Sequence, residues 1–139
     1  MTKENFERVA KANAPQRAKV SAYIIAYNEA DKIAAAVQSV AWADEVLVLD
    51  SNSSDNTAKI AAELGATVKQ IPFTTFGKLR NDAIAACKHD WVFSLDADER
   101  CTAAARAEIE KVLSHPGADA YYVPRRNWFM GRWIRHSGW

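Results

Sequence analysis

The chain alternates between two periodicities. Residues 20–26, Val-Ser-Ala-Tyr-Ile-Ile-Ala, make an apolar run of strand length, and residues 31–40 then carry Ile33, Val37 and Val40 at helical spacing. A second strand is predicted over 45–50, where an unbroken Val-Leu-Val-Leu implies burial on both faces. Ser53, Ser54 and Asp55 offer N-caps for a helix that carries Ile60 and Leu64 and stops at Gly65. A third strand is predicted over 67–71, a helix over 77–88 and a fourth strand over 91–95. Thr102 caps a last helix bearing Ile109, Val112 and Leu113, and a final strand is predicted over 120–124. Strands alternating with helices in this order predict an α/β fold, a mostly parallel sheet flanked by helices. Residues 1–19 carry no strong pattern and read as an N-terminal extension, leaving 20–139 as the domain. There is no internal repeat and no low-complexity tract.

Bulk composition narrows little. The 139 residues suit one domain, and 49% hydrophobic with 25% charged residues is ordinary for a globular chain. A net charge of +1 gives no reason to expect a nucleic-acid partner. The distribution is less even: residues 121–139 hold four arginines and no acid, whereas the middle of the chain is acidic. Cys87 and Cys101 have neither metal-ligand nor redox spacing, and no apolar run is long enough for a membrane span or a signal peptide. A cytoplasmic location is the expectation.

The candidate chemistry lies after predicted strands, where open α/β sheets bind ligands. The fourth strand ends in Asp96 and Asp98, which an extended chain would turn to one face, roughly 6.5 Å apart. Two such acids suggest a divalent cation with oxygen ligands, one acid on the metal and the other on a neighbouring hydroxyl or bound water. The first strand runs into Tyr27-Asn28-Glu29, where a ring could stack on a base; turn and pre-helix roles compete for Asn28 and Glu29. The second strand ends in Asp50, a charge that needs a partner, followed by small polar residues that could meet a base or ribose or simply cap the helix. Lys78 and Arg80 lie in the first turns of a helix, against its macrodipole, so a bound diphosphate would suit them; a solvated surface suits Lys78 equally.

Three segments together, Val20 to Glu29, Ala43 to Thr57 and Ser94 to Arg100, resemble the family-2 glycosyltransferases of the GT-A (Rossmann-like) fold in order and spacing. The tail from Pro124 to Trp139, Pro-Arg-Arg-Asn-Trp-Phe-Met-Gly-Arg-Trp-Ile-Arg-His-Ser-Gly-Trp, resembles the branch that adds glucose or a similar sugar to the lipopolysaccharide core. The resemblance implies a UDP-sugar donor bound by Tyr27, Glu29, Asp50, Arg80 and Asp96. It further implies Mn²⁺ or Mg²⁺ on Asp98 with Asp96, and inverting transfer to a lipopolysaccharide core acceptor. Where many members carry two acids, this chain has Asp50-Ser51. Members usually extend well past residue 139, so the chain is expected to be a donor half that lacks the acceptor side. No residue is named as the catalytic base. Two other readings compete: a non-catalytic nucleotide-sugar-binding fragment, and an interaction protein whose Arg/Trp-rich tail contacts a membrane surface or forms a homodimer.

Overall fold

The computed structural model describes residues 17–134. The expected extension therefore lies almost wholly outside the described residues, as do Arg135, His136 and Trp139 of the tail. The elements are β1 (Val20–Ala26), α1 (Ile33–Ser39), β2 (Glu45–Asp50), α2 (Thr57–Glu63), β3 (Thr67–Gln70), α3 (Phe76–Ala86), β4 (Trp91–Asp96), α4 (Ala103–Ser114), β5 (Asn127–Phe129) and β6 (Arg132–Ile134). Four parallel strands form one sheet in the order β3-β2-β1-β4, and β5 pairs with β6 in a separate antiparallel hairpin.

Strand periodicity sorts β1 between two cores. Ala22, Ile24 and Ala26 pack with Ile33, Val37 and Val40 of and just after α1 and with Ala61 of α2. Tyr23 points the other way and packs with Leu47 and Leu49 of β2 and Leu79 and Ala83 of α3. Both faces of β1 and β2 are thus covered, which is why their sequences are apolar without alternation. Thr102 caps α4 as expected, accepting from the Ala105 N–H at 3.1 Å. Thr75 does the same for α3 through Lys78 N–H.

Two expectations fail. Residues 120–124 form no strand, and Tyr122 there is fully exposed. An apolar run becomes a strand only where an edge accepts it, and Pro124 cannot donate to a ladder. The chain instead forms the short β5–β6 hairpin, closed by Met130 and Gly131 with φ of 47° and 79°, as a two-residue type I′ turn requires. The helix after β2 begins at Thr57, beyond the predicted caps: its N-cap is Asn56, which makes no side-chain cap bond. Of the predicted caps, Asp55 does serve the helix start, its Oδ1 accepting the Thr57 N–H at 2.9 Å, whereas Ser53 and Ser54 are engaged with Asp50 and Asn28.

The bottom of the sheet, opposite the strands' carboxyl ends, is tied by a buried acid. Glu45 accepts from Ser21 Oγ at 2.6 Å and from the Lys88 N–H at 2.8 Å, with Lys88 Nζ at 3.4 Å. Burial pushes its carboxyl up, but these donors outweigh burial and hold it below its ordinary value of 4.5. A depressed folded value means the stabilisation is full above the ordinary value and is lost as pH falls through the folded one. Glu45→Gln should therefore cost about 1.5–3 kcal/mol at neutral pH, the worth of hydrogen bonds to a charged group. The difference from the native chain should shrink steadily below the ordinary carboxylate value, as read from urea unfolding across a pH series.

Candidate functional site

The strand order reverses at β1: the chain moves outward through β2 and β3, then returns to place β4 on the other side. Such a switch point opens a crevice beyond the carboxyl ends of the strands. The register sets the crevice's contents, because Ala26 pairs with Asp50 and Ile25 with Asp96. Asp50 and Asp96 therefore end β2 and β4, and Tyr27 follows β1 between them, in adjacent strands about 4.8 Å apart.

Asp50 is fully buried. Its carboxylate accepts the Ser53 N–H at 2.9 Å and, through Oδ1, a short bond from the Ser53 hydroxyl. That hydroxyl in turn accepts the Asn28 N–H at 2.8 Å. Asn28 answers with its side chain, whose Oδ1 accepts the Ser54 N–H at 2.8 Å. It holds this position with φ of 50°, a left-handed conformation that asparagine tolerates better than most residues. One turn further on, Glu29 N–H donates to Thr57 Oγ1 at 2.8 Å and Ala30 N–H to Asp55 at 3.1 Å. The loops after β1 and β2 are thus latched together by Asp50, Ser53, Asp55, Thr57 and Asn28. Beside the latch, Ser51 Oγ is buried and has no hydrogen-bond partner among the described residues. Tyr27 stands out from the same edge, 61% exposed, and Glu29 pairs with Lys32 at 3.0 Å.

The acids after β4 have separate environments. Arg80 reaches from α3 to donate to Ser94 Oγ at 2.9 Å and Asp96 Oδ1 at 3.0 Å. Burial alone would lower the Arg80 pKa, but Tyr23 and Asp96 beside it outweigh that and keep it charged. Lys78 pairs with Asp82 at 2.7 Å. Both cations of this helix start thus have carboxylates of their own beside them, and Lys78 has the exposed surface position that was its alternative. A second correction concerns geometry: β4 ends at Asp96, and Asp98 lies in a turn, exposed. The two-residue alternation of a strand therefore does not govern the pair. No hydrogen bond or ion pair engages the Asp98 carboxylate among the described residues. It still helps, after Glu29, to hold the Lys32 amine above its ordinary value.

No group of three or more His, Cys, Asp or Glu able to hold a metal occurs among the described residues. Two carboxylates are nonetheless a suitable protein share for Mg²⁺ or Mn²⁺ that takes its other ligands from water and phosphate oxygens. The donor set fits such an ion: Asp98 is unpaired and accessible, and Asp96 is held in place. A hollow of about 420 Å³ lies elsewhere, between the end of α1 and the start of α4, lined by Ser39, Trp42, Thr102 and Arg106 among others. Those four are already engaged with Cys101 N–H, Ser39 C=O, Ala105 N–H and Glu110 respectively, so the strand-end crevice is the stronger site.

A parallel α/β sheet flanked by helices, with acids at its switch point, is an architecture of the GT-A type, and solved glycosyltransferases share it. The chain belongs to glycosyl transferase family 2, whose profile matches residues 21–139. It is 41% identical over 104 residues to an uncharacterized glycosyltransferase of Rickettsia bellii, covering 74% of this chain and 35% of that protein. It is 28% identical to the lipopolysaccharide core biosynthesis glycosyltransferase LpsC of Rhizobium meliloti, covering 81% of this chain and 44% of LpsC. Glucosyl-3-phosphoglycerate synthase from Mycobacterium tuberculosis, solved with Mn²⁺, UDP and glucosyl-3-phosphoglycerate, superposes with a TM-score of 0.53. That match is at 28% identity and covers 64% of this chain and 35% of the synthase. The chain thus spans between a third and a half of the length of each of these proteins. No helix among the described residues is long and apolar enough to cross a membrane.

The latch was the part that sequence reasoning missed. Its only sequence signal is an excess of small polar residues over what one helix cap can use.

Proposed function

We propose that this chain is the donor-binding region of an inverting, metal-dependent glycosyltransferase that uses a UDP-sugar and transfers the sugar, glucose, to a lipopolysaccharide core acceptor. The observation that carries this reading is the unlike pair at the end of β4: Asp96 paired with Arg80, and Asp98 exposed with no hydrogen bond or ion pair among the described residues. Asp98, with Asp96, would hold Mn²⁺ or Mg²⁺, which supplies Lewis-acid stabilisation of charge on the departing diphosphate. Tyr27 offers a face for the base, and Asp50 shapes the loop that meets the nucleoside. Glu29 and Arg80 orient the donor from either side. Inverting transfer also needs a base for the acceptor hydroxyl, and none of the described acids is assigned that role.

UDP and Mn²⁺ are supported by the complex of the mycobacterial synthase, and the acceptor class by LpsC and the resemblance of the tail. A cytoplasmic site of action at the inner face of the membrane, and a homodimer through the tail, belong to the same proposal. Their support is the exposed Trp128, Phe129, Met130 and Trp133 beside Arg125, Arg126 and Arg132. Calorimetry of UDP with and without Mn²⁺ tests the central claim. Mn²⁺ should tighten UDP binding by about tenfold or more, the scale of metal-site effects, because diphosphate and Asp98 are both anionic. Binding of equal strength without metal would refute it.

A further inference from the structure

The turn that presents Asp98 is closed by a residue with no part in the reading so far. Glu99 N–H donates to the Asp96 carbonyl at 2.9 Å, which makes residues 96–99 a β-turn with Asp98 at its third position. The Glu99 side chain then folds back, and its Oε2 accepts the Asp96 N–H at 2.9 Å. The turn is therefore bonded in both directions between the same two residues. Oε1 faces outward and takes Arg125 Nε at 3.0 Å, from the segment that leads into the β5–β6 hairpin. The strand's last amide is thus used in fixing the turn.

We infer that Glu99 is a positioning residue for the acid pair, holding Asp98 where a metal-bound diphosphate would meet it, with Arg125 bracing Glu99 from the C-terminal segment. The inference rests on the donor-site reading above. Groups that orient metal ligands without touching the metal typically carry 10- to 100-fold of the metal affinity. Arg125 is more than half exposed, and exposed pairs contribute little, so its share is the smaller.

The full chain, Glu99→Ala, Glu99→Gln and Arg125→Ala are compared by calorimetry with UDP plus Mn²⁺ and with uridine alone. Amide hydrogen exchange at Asp96 is followed by NMR without ligand. Glu99→Ala should lose about 10- to 100-fold in Mn²⁺-dependent UDP binding. Its uridine binding should stay unchanged, and the Asp96 amide should exchange about tenfold faster or more once its acceptor is gone. Glu99→Gln keeps an acceptor for that amide and should stay close to the native values; Arg125→Ala should fall between. Retention of the full Mn²⁺ gain by Glu99→Ala, equal loss of uridine and metal-dependent binding, or an unchanged Asp96 amide would each overturn the inference. A native chain in which Mn²⁺ does not strengthen UDP binding would instead overturn the donor-site reading, while the exchange measurement still decides whether Glu99 holds the turn.

Discussion

Asp98→Ala should abolish the contribution of Mn²⁺ to UDP binding while leaving the fold intact. Asp98 lies in an exposed turn and its carboxylate supports no hydrogen bond or ion pair among the described residues, so its removal leaves nothing buried unsatisfied. The loss should therefore appear only where an anionic ligand and a cation meet it. UDP binding with Mn²⁺ should fall by about tenfold or more, roughly 1.4 kcal/mol per factor of ten, to the level seen without metal. Asp96→Ala makes a useful contrast. It releases Arg80 from its 3.0 Å pair, and an unpaired guanidinium beside the crevice should attract the diphosphate. Metal-free UDP binding should then rise in Asp96→Ala and not in Asp98→Ala. An Asp98→Ala chain that keeps the native response to Mn²⁺ would remove Asp98 from the metal site.

Asp50→Ala should damage both nucleoside binding and stability. Its carboxylate is fully buried and receives both the N–H and the hydroxyl of Ser53, which carries the Asn28 N–H in turn. Removing it leaves two half-buried donors of Ser53 without their acceptor, at about 1–3 kcal/mol in all before relaxation. It also frees the loops after β1 and β2 from one another. Uridine affinity, measured without metal, should drop by about tenfold, since a loop that must be ordered on binding weakens it by the ordering cost. Asp50→Asn, which can still accept from Ser53, should recover part of both losses. The checks are thermal unfolding and uridine calorimetry on the same samples. Native uridine affinity in a destabilised Asp50→Ala chain would confine Asp50 to folding.

Much of this was legible in the sequence because it is local. Apolar runs of strand length and helical spacing located the four strands of the main sheet and the helices between them, since side-chain period follows from backbone geometry within a few residues. Thr102 announced α4 in the same way, through a bond to an amide three residues on. The order of Asp50, Asp96 and Asp98 along the chain, each just at or after a strand, was also enough to place these three acids at one end of a sheet. Residues 120–124 show the limit of local reading, because a run that looks like a strand needs a free ladder to join.

What only the tertiary structure decided is how residues far apart divide the work. The strand order β3-β2-β1-β4 makes β1 the hub and so puts Tyr27, Asp50 and Asp96 side by side. Asn28 and Ser53 are 25 positions apart, yet their bond links the two loops; Arg80 and Asp96 are 16 apart, yet their pair distinguishes one acid from the other. A sequence names donors and acceptors without saying which will meet. That choice depends on register and on which faces the helices cover, and both are set by burying the whole core at once.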